Sequence, residues 1–257
     1  MTSAHDPRST RRRFLTTAGT ALLAAVGCRR VTSAQSRTGS RARLSARPGA
    51  AVTGTLTSGP LGLGSGDRDG VIQMPATQRA AAAPLLLWLH GAGQSGAGSL
   101  CRIGPAADAA GVVVVAPDSR GTSWDAIRGD FGDDVAFLDR VLTLVFARVA
   151  VDPARLTIGG FSDGATYALS VGLANGDLFP RVISCSPGFI VQAPQQGRPL
   201  VFISHGRSDQ VLPIDRCSRV IVPRLQSMRY DVTYREFDGV HELPPAVATE
   251  AMTWMRS

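Results

Sequence analysis

The chain contains no lysine: all 27 of its basic residues are arginine. That usage points to a GC-rich genome more simply than to selection at each site. Long apolar runs are also missing. No uninterrupted stretch reaches about 18 residues, which excludes a protein crossing a membrane several times. Charged residues make up only 18% of the sequence against 44% hydrophobic, a balance that fits neither a disordered chain nor a coiled coil. The 28 glycines follow no collagen-like period. Cysteines are few, four in 257 residues, and nothing in their spacing suggests a zinc site. No internal repeat is visible.

The charge that is present is unevenly placed. Residues 1–50 hold 10 Arg against one acid, Asp6, whereas residues 51–257 hold 17 Arg against 19 acids. The net charge of +7 therefore belongs to the N-terminal fifth. The body is close to neutral and gives no reason to expect a nucleic-acid partner.

The N-terminus reads as an address. Arg11-Arg12-Arg13 precedes an uncharged run over residues 14–27, too short to span a bilayer and shaped as an export signal. The Arg pair before Phe14-Leu15 resembles a twin-arginine signal, which implies export through that machinery. Two processing sites compete. Cys28 after Ala25-Val26-Gly27 resembles a lipoprotein site, which would anchor the protein to a membrane face through a lipid; Thr32-Ser33-Ala34 is a small-x-small cleavage pattern. The division expected is a signal over 1–34, a disordered basic linker over 35–60 and a catalytic domain over 61–257. The protein is expected to be exported, periplasmic or extracellular. Export permits one disulfide, with Cys185–Cys217 as the guess and Cys101 left over.

From about residue 68, short apolar runs alternate with helical patterns. Strands are expected over 70–74, 85–89, 111–116, 155–159, 200–205 and 231–237. Asp133 and Asp134 open a helix whose stripe is Val135, Leu138, Leu142, Val145 and Val149. Asp152-Pro153 reads as a turn closing that segment. Further helices are expected over 165–174 and 245–255. This alternation predicts an α/β fold: a mainly parallel sheet covered on both faces, with ligands at the carboxyl ends of the strands.

The chemistry falls at those ends. Gly160-Phe161-Ser162-Asp163-Gly164 is a G-x-S-x-G pentapeptide between an apolar strand and a helix, the context of a sharp turn presenting Ser162 as nucleophile. A serine needs a base. Of four histidines, His5 lies in the signal and His90 and His205 end strands; the order Ser, acid, His selects His241. Asp209 lies in the intervening loop and is the expected acid, with Asp215 and Asp238 as rivals. The oxyanion hole would take the amide of Asp163 and one from His90-Gly91-Ala92-Gly93, with Ala92 preferred and Gly91 the alternative. His90 itself reads as an orienting or structural residue. Trp124, on the same rim, is a candidate for the substrate-pocket wall, and residues 185–189 for the opposite one.

As an ordered set, these motifs resemble the α/β-hydrolases, most closely the phospholipase/carboxylesterase group and the polyhydroxybutyrate-depolymerase-like esterases. Residues 89–93, 160–164, 205–209 with Pro213, and His241 carry the resemblance; Asp133-Asp134-Val135-Ala136-Phe137 and Val151-Asp152-Pro153-Ala154-Arg155 fit the second group. It implies an α/β-hydrolase fold, a Ser162–His241–Asp209 triad and hydrolysis of small-molecule or polymeric carboxylic esters through an acyl-enzyme. It implies no metal or organic cofactor. The stretch over 186–199 is short, so a minimal lid or none is expected. Two other readings remain: a small serine peptidase of the same fold, and a catalytically silent binding protein on this scaffold.

Overall fold

The computed structural model describes residues 41–49, 55–63, 68–77 and 82–257. The expected signal, Cys28 and the rival cleavage site at 32–34 lie outside the described residues. Eight strands form one sheet: β1 (Gly59–Pro60), β2 (Gly70–Gln73), β3 (Ala83–Leu89), β4 (Val113–Pro117), β5 (Val151–Phe161), β6 (Arg181–Cys185), β7 (Leu200–Gly206) and β8 (Val232–Phe237). Their spatial order is β1-β2-β4-β3-β5-β6-β7-β8. The β1–β2 and β2–β4 pairs are antiparallel and the remaining pairs parallel. Five helices cover it: α1 (Gly96–Ala109), α2 (Asp133–Arg148), α3 (Asp163–Ala174), α4 (Ser218–Ser227) and α5 (Pro245–Arg256).

The period of two in the strands decides the layers. Along β3, Leu85, Leu87 and Leu89 join the core under α2, α3 and α4. Leu86 and Trp88 point the other way and pack with Ile103 and Ala107 of α1 and Val247, Ala251 and Met255 of α5. A strand buried on both faces reads as a continuous apolar run, as residues 85–89 do. The stripe expected on α2 is the one buried.

Four expectations are corrected. Residues 41–47, assigned to a disordered linker, are docked on the domain. Ala42, Leu44 and Ala46 alternate inward and are buried. The Asn175 side chain holds this segment as a strand would: its Oδ1 accepts Leu44 N–H at 2.9 Å and its Nδ2 donates to Ala42 C=O at 2.8 Å. Arg43 pairs with both Asp177 oxygens and Arg47 adds a third bond. Those bonds, led by Arg43, pull the Asp177 carboxyl down to about 2. The basic residues expected to be solvated thus face specific acids. β1 also falls inside the expected linker. Secondly, Asp152-Pro153 lies within β5, which pairs with β3 through a register shift between Ala83 and Leu85. Thirdly, Cys185 and Cys217 are free; burial pushes the Cys185 thiol up to about 12, so it behaves as a small apolar core residue. The fourth correction, at Trp124, belongs to the site.

Among the described residues, no helix is long and apolar enough to cross a membrane.

Candidate active site

Ser162 stands between β5 and α3 with φ 60° and ψ −121°, a left-handed conformation that strains a non-glycine residue. The flanking glycines allow it. A Cβ on Gly160 would lie 2.4 Å from the Gly164 carbonyl, and one on Gly164 would lie 2.1 Å from Leu89 O. Only glycines let the turn close against β3. The turn lifts the Ser162 hydroxyl to the carboxyl end of the sheet, ahead of the α3 N-terminus, where the helix dipole favours negative charge.

Two loops converge on that hydroxyl. His241 follows β8, and its Nε2 lies 2.9 Å from Ser162 Oγ. Asp209 follows β7, and its Oδ2 lies 2.6 Å from His241 Nδ1. Asp209 can only accept when ionised, so Nδ1 carries the proton and Nε2 is free to accept the serine proton. The Phe161 ring packs on the imidazole at 4.8 Å between centroids, fixing its plane. The two rivals for the acid are elsewhere: Asp215 is exposed and paired with Arg219, and Asp238 is exposed and paired with Arg207.

Asp209 is itself held by its surroundings. Its side chain is fully buried. Oδ1 accepts the backbone N–H groups of Val211 and Leu212 at 2.9 and 2.8 Å, while His205 Nε2 lies 3.2 Å from Oδ2. His205 also bonds Leu212 C=O at 2.8 Å through Nε2 and Ser218 Oγ at 2.6 Å through Nδ1. Burial holds its imidazole below the usual histidine range, so it stays neutral, a donor at Nε2 and an acceptor at Nδ1. This support for the acid went unread in the sequence. Its signal was a His four residues before the Asp at the end of one strand.

The loop after β3 supplies the other side. The Ala92 and Asp163 N–H groups have no hydrogen-bond acceptor among the described residues; nor has Gly91 N–H. The Gly91 carbonyl, by contrast, is held by His90 Nδ1 at 2.7 Å and Gln94 N–H at 3.2 Å. The Asp163 side chain is tied to Ser123 Oγ.

Trp124 does not line a pocket. It is 1% exposed, donates from Nε1 to His90 C=O at 2.9 Å, and stacks on Tyr167 at 5.2 Å. A large ring on the rim side of β4 serves better as a floor beneath the loop than as a wall, because the chain beyond it folds inward. That inward fold is fixed by two acids. Asp134 accepts from Arg120 N–H and Asp125 N–H, both at 2.6 Å. Asp125 accepts from Gly132 N–H and Asp134 N–H, both at 2.9 Å, and from Tyr167 OH at 2.8 Å. Burial outweighs these bonds and lifts the Asp134 carboxyl to about 6. Residues 186–189 follow β6, with Phe189 exposed and Gly188 N–H bonded to Thr166 Oγ1 at 2.8 Å.

No protein-family model matches the chain. A probable feruloyl esterase C from Aspergillus oryzae is 30% identical over 105 residues, 40% of this chain and 37% of that protein. A putative esterase, NocK, from Nocardia uniformis subsp. tsuyamanensis is 32% identical over 148 residues, 52% of this chain and 42% of its own length. The chain thus spans less than half the length of these curated relatives. Among solved structures, esterase PE8 superposes with a TM-score of 0.60 at 24% identity over 73% of this chain and 97% of that one. A phospholipase/carboxylesterase from Dyadobacter fermentans gives 0.57 at 20% identity over 80% of this chain and 100% of that one. The chain has the α/β-hydrolase fold, and these proteins similar to it by sequence or by structure carry the names of esterases and of a phospholipase/carboxylesterase.

Proposed function

We propose that the protein is an exported serine hydrolase that cleaves carboxylic esters through an acyl-enzyme. The observation that carries this reading is the continuous hydrogen-bond chain from Ser162 Oγ through His241 to Asp209. His241 Nε2 takes the Ser162 proton as Oγ attacks the ester carbonyl. The oxyanion is received by the amides of Ala92 and Asp163, donors with no acceptor among the described residues. Asp209 stabilises the imidazolium, which then protonates the leaving alcohol. Water, deprotonated by the same imidazole, releases the acid and restores Ser162. Gly91 remains the alternative donor, but its carbonyl is turned toward His90, and in a trans peptide that turns Ala92 N–H the opposite way; this favours Ala92.

The rim supports a substrate class. Phe189, Val211 and Val240, all exposed, stand on the loops after β6, β7 and β8, the last two beside the catalytic loop residues. Such a rim suits an ester with an apolar or aromatic part, in keeping with the feruloyl esterases among the relatives. Purified protein is expected to hydrolyse p-nitrophenyl butyrate and methyl ferulate and to be labelled by a fluorophosphonate. A protein that is labelled but cleaves a peptide amide faster than the matched ester would be a peptidase. One neither labelled nor active would be a silent scaffold.

Export is proposed from the Arg11-Arg12-Arg13 cluster and the uncharged run behind it, with Cys28 as the point of lipid attachment if processing occurs there. Replacing Arg11 and Arg12 with Lys is expected to leave precursor inside the cell; normal export of the variant would remove the twin-arginine route.

A further inference from the structure

We infer that Arg68 is a positioning residue for the oxyanion loop, acting through the tautomer and orientation of His90. The inference rests on the esterase reading above. Arg68 lies just before β2 and belongs to no motif of the sequence. Its place follows from the topology. β2 runs antiparallel to β4, with Gly70 opposite Pro117, so residues entering β2 lie beside the carboxyl end of β4, on the catalytic rim. Asp69 and Asp118 lock that crossing: Asp118 N–H donates to Asp69 C=O at 3.1 Å, and the Asp118 side-chain Oδ2 accepts Asp69 N–H at 3.0 Å.

From there the Arg68 guanidinium joins two loops. Nε donates to Ser119 C=O. Nη2 faces Ser119 Oγ at 3.1 Å, Gln94 C=O at 3.2 Å and His90 Nε2 at 3.3 Å. No carboxylate bonds to it among the described residues, so the cation is committed to the loop after β4 and to the oxyanion loop.

The consequence for His90 is a single tautomer. Its Nε2 meets two donors, Ser119 N–H at 2.9 Å and the Arg68 guanidinium, and can only accept. The proton therefore sits on Nδ1, which donates to the Gly91 carbonyl at 2.7 Å. Burial first, and then the Arg68 charge, favour the neutral ring; the Gly91 carbonyl, Asp118 and Asp163 oppose them, and the balance lies below the ordinary histidine value. Holding Gly91 C=O on the His90 side aims Ala92 N–H across the peptide plane, away from His90. No peptide in the described residues is cis. The relay thus runs from Arg68 to His90 Nε2, from His90 Nδ1 to Gly91 C=O, and from that peptide to the proposed oxyanion donor. The Trp124 indole secures the adjoining peptide through His90 C=O.

A cycle of variants tests this relay: wild type, Arg68→Met, Arg68→Lys, His90→Ala and Arg68→Met/His90→Ala, each with kcat and KM on p-nitrophenyl butyrate and a melting temperature. Loss of one oxyanion donor costs about 100- to 1,000-fold in kcat. A loosened donor should cost less, so Arg68→Met is expected to lower kcat about 10- to 100-fold with KM within about threefold. Arg68→Lys should recover part of the loss by restoring the charge and one donor. In the His90→Ala background the relay is already cut, and Arg68→Met should cost less than about twofold. Equal losses in both backgrounds, a change confined to KM, or full activity in Arg68→Met would overturn the proposal. If Arg68→Met fails to fold, Arg68→Lys carries the same cycle. Wild-type silence toward every ester would overturn the esterase reading and the relay together, whereas an active wild type with a purely multiplicative cycle overturns the relay alone.

Discussion

Ser162→Ala is expected to lower kcat for p-nitrophenyl butyrate on the order of a million-fold, the loss found when a triad nucleophile is removed. His241→Ala should cost about as much, and the double variant little more, because the two groups act as one unit: a hydroxyl without a base is hardly a nucleophile, and a base without the hydroxyl has nothing to activate. The geometry supports a sharp effect. Oγ is already 2.9 Å from Nε2, so no rearrangement is required before proton transfer. The fold should survive, since Ala at 162 keeps the backbone of the turn and the Gly160 and Gly164 contacts that shape it. Burst titration and fluorophosphonate labelling of each variant, beside steady-state rates, would check the prediction. Residual activity within tenfold of wild type in Ser162→Ala would assign the chemistry to another residue.

The sequence made the site legible where chemistry is local. Gly160 to Gly164 announces its own turn, because the close contacts that demand glycine come from the pentapeptide itself and the neighbouring strand. The stripe on α2 was readable because its partners are all apolar and its period is helical. Contacts made across the fold were not readable. The segment over 41–47 looks like a solvated basic linker until Asn175, Asp139 and Asp177 are placed under it. There Asp139 accepts Ser45 N–H at 2.7 Å and Ala46 N–H at 2.8 Å. Helix α1 is hidden in the sequence for a different reason. Gly96, Gly98, Gly104 and the interior Pro105 all weaken helix propensity. Packing overrides it: a Cβ on Gly96 would lie 1.8 Å from Ala116 O, so the helix lies against β4 at a distance only glycine permits, with Asp118 Oδ1 accepting Gly96 N–H at 2.6 Å.

The same distinction separates the acid from its support. Asp209 could be picked out by chain order, but what a change there would do depends on groups that chain order does not reveal. Asp209→Asn is expected to lower kcat about 10,000-fold, as loss of the triad carboxylate does when it leaves the wrong imidazole tautomer. Val211 N–H and Leu212 N–H both point at Oδ1, so an asparagine would place its carbonyl oxygen there. Its NH2 would then occupy the Oδ2 position, facing His241 Nδ1 and His205 Nε2. His241 could meet that donor only by giving up the proton on Nδ1, which moves the proton to Nε2, where Ser162 needs an acceptor. His205 cannot make the matching change cheaply, since its Nε2 proton also serves Leu212 C=O and its Nδ1 faces Ser218. KM should change far less than kcat, because substrate contacts are left in place. Steady-state kinetics with nitrogen NMR of the His241 ring would check both halves: a rate near wild type, or a His241 that keeps its Nδ1 proton in the variant, would show that Asp209 does not set the tautomer.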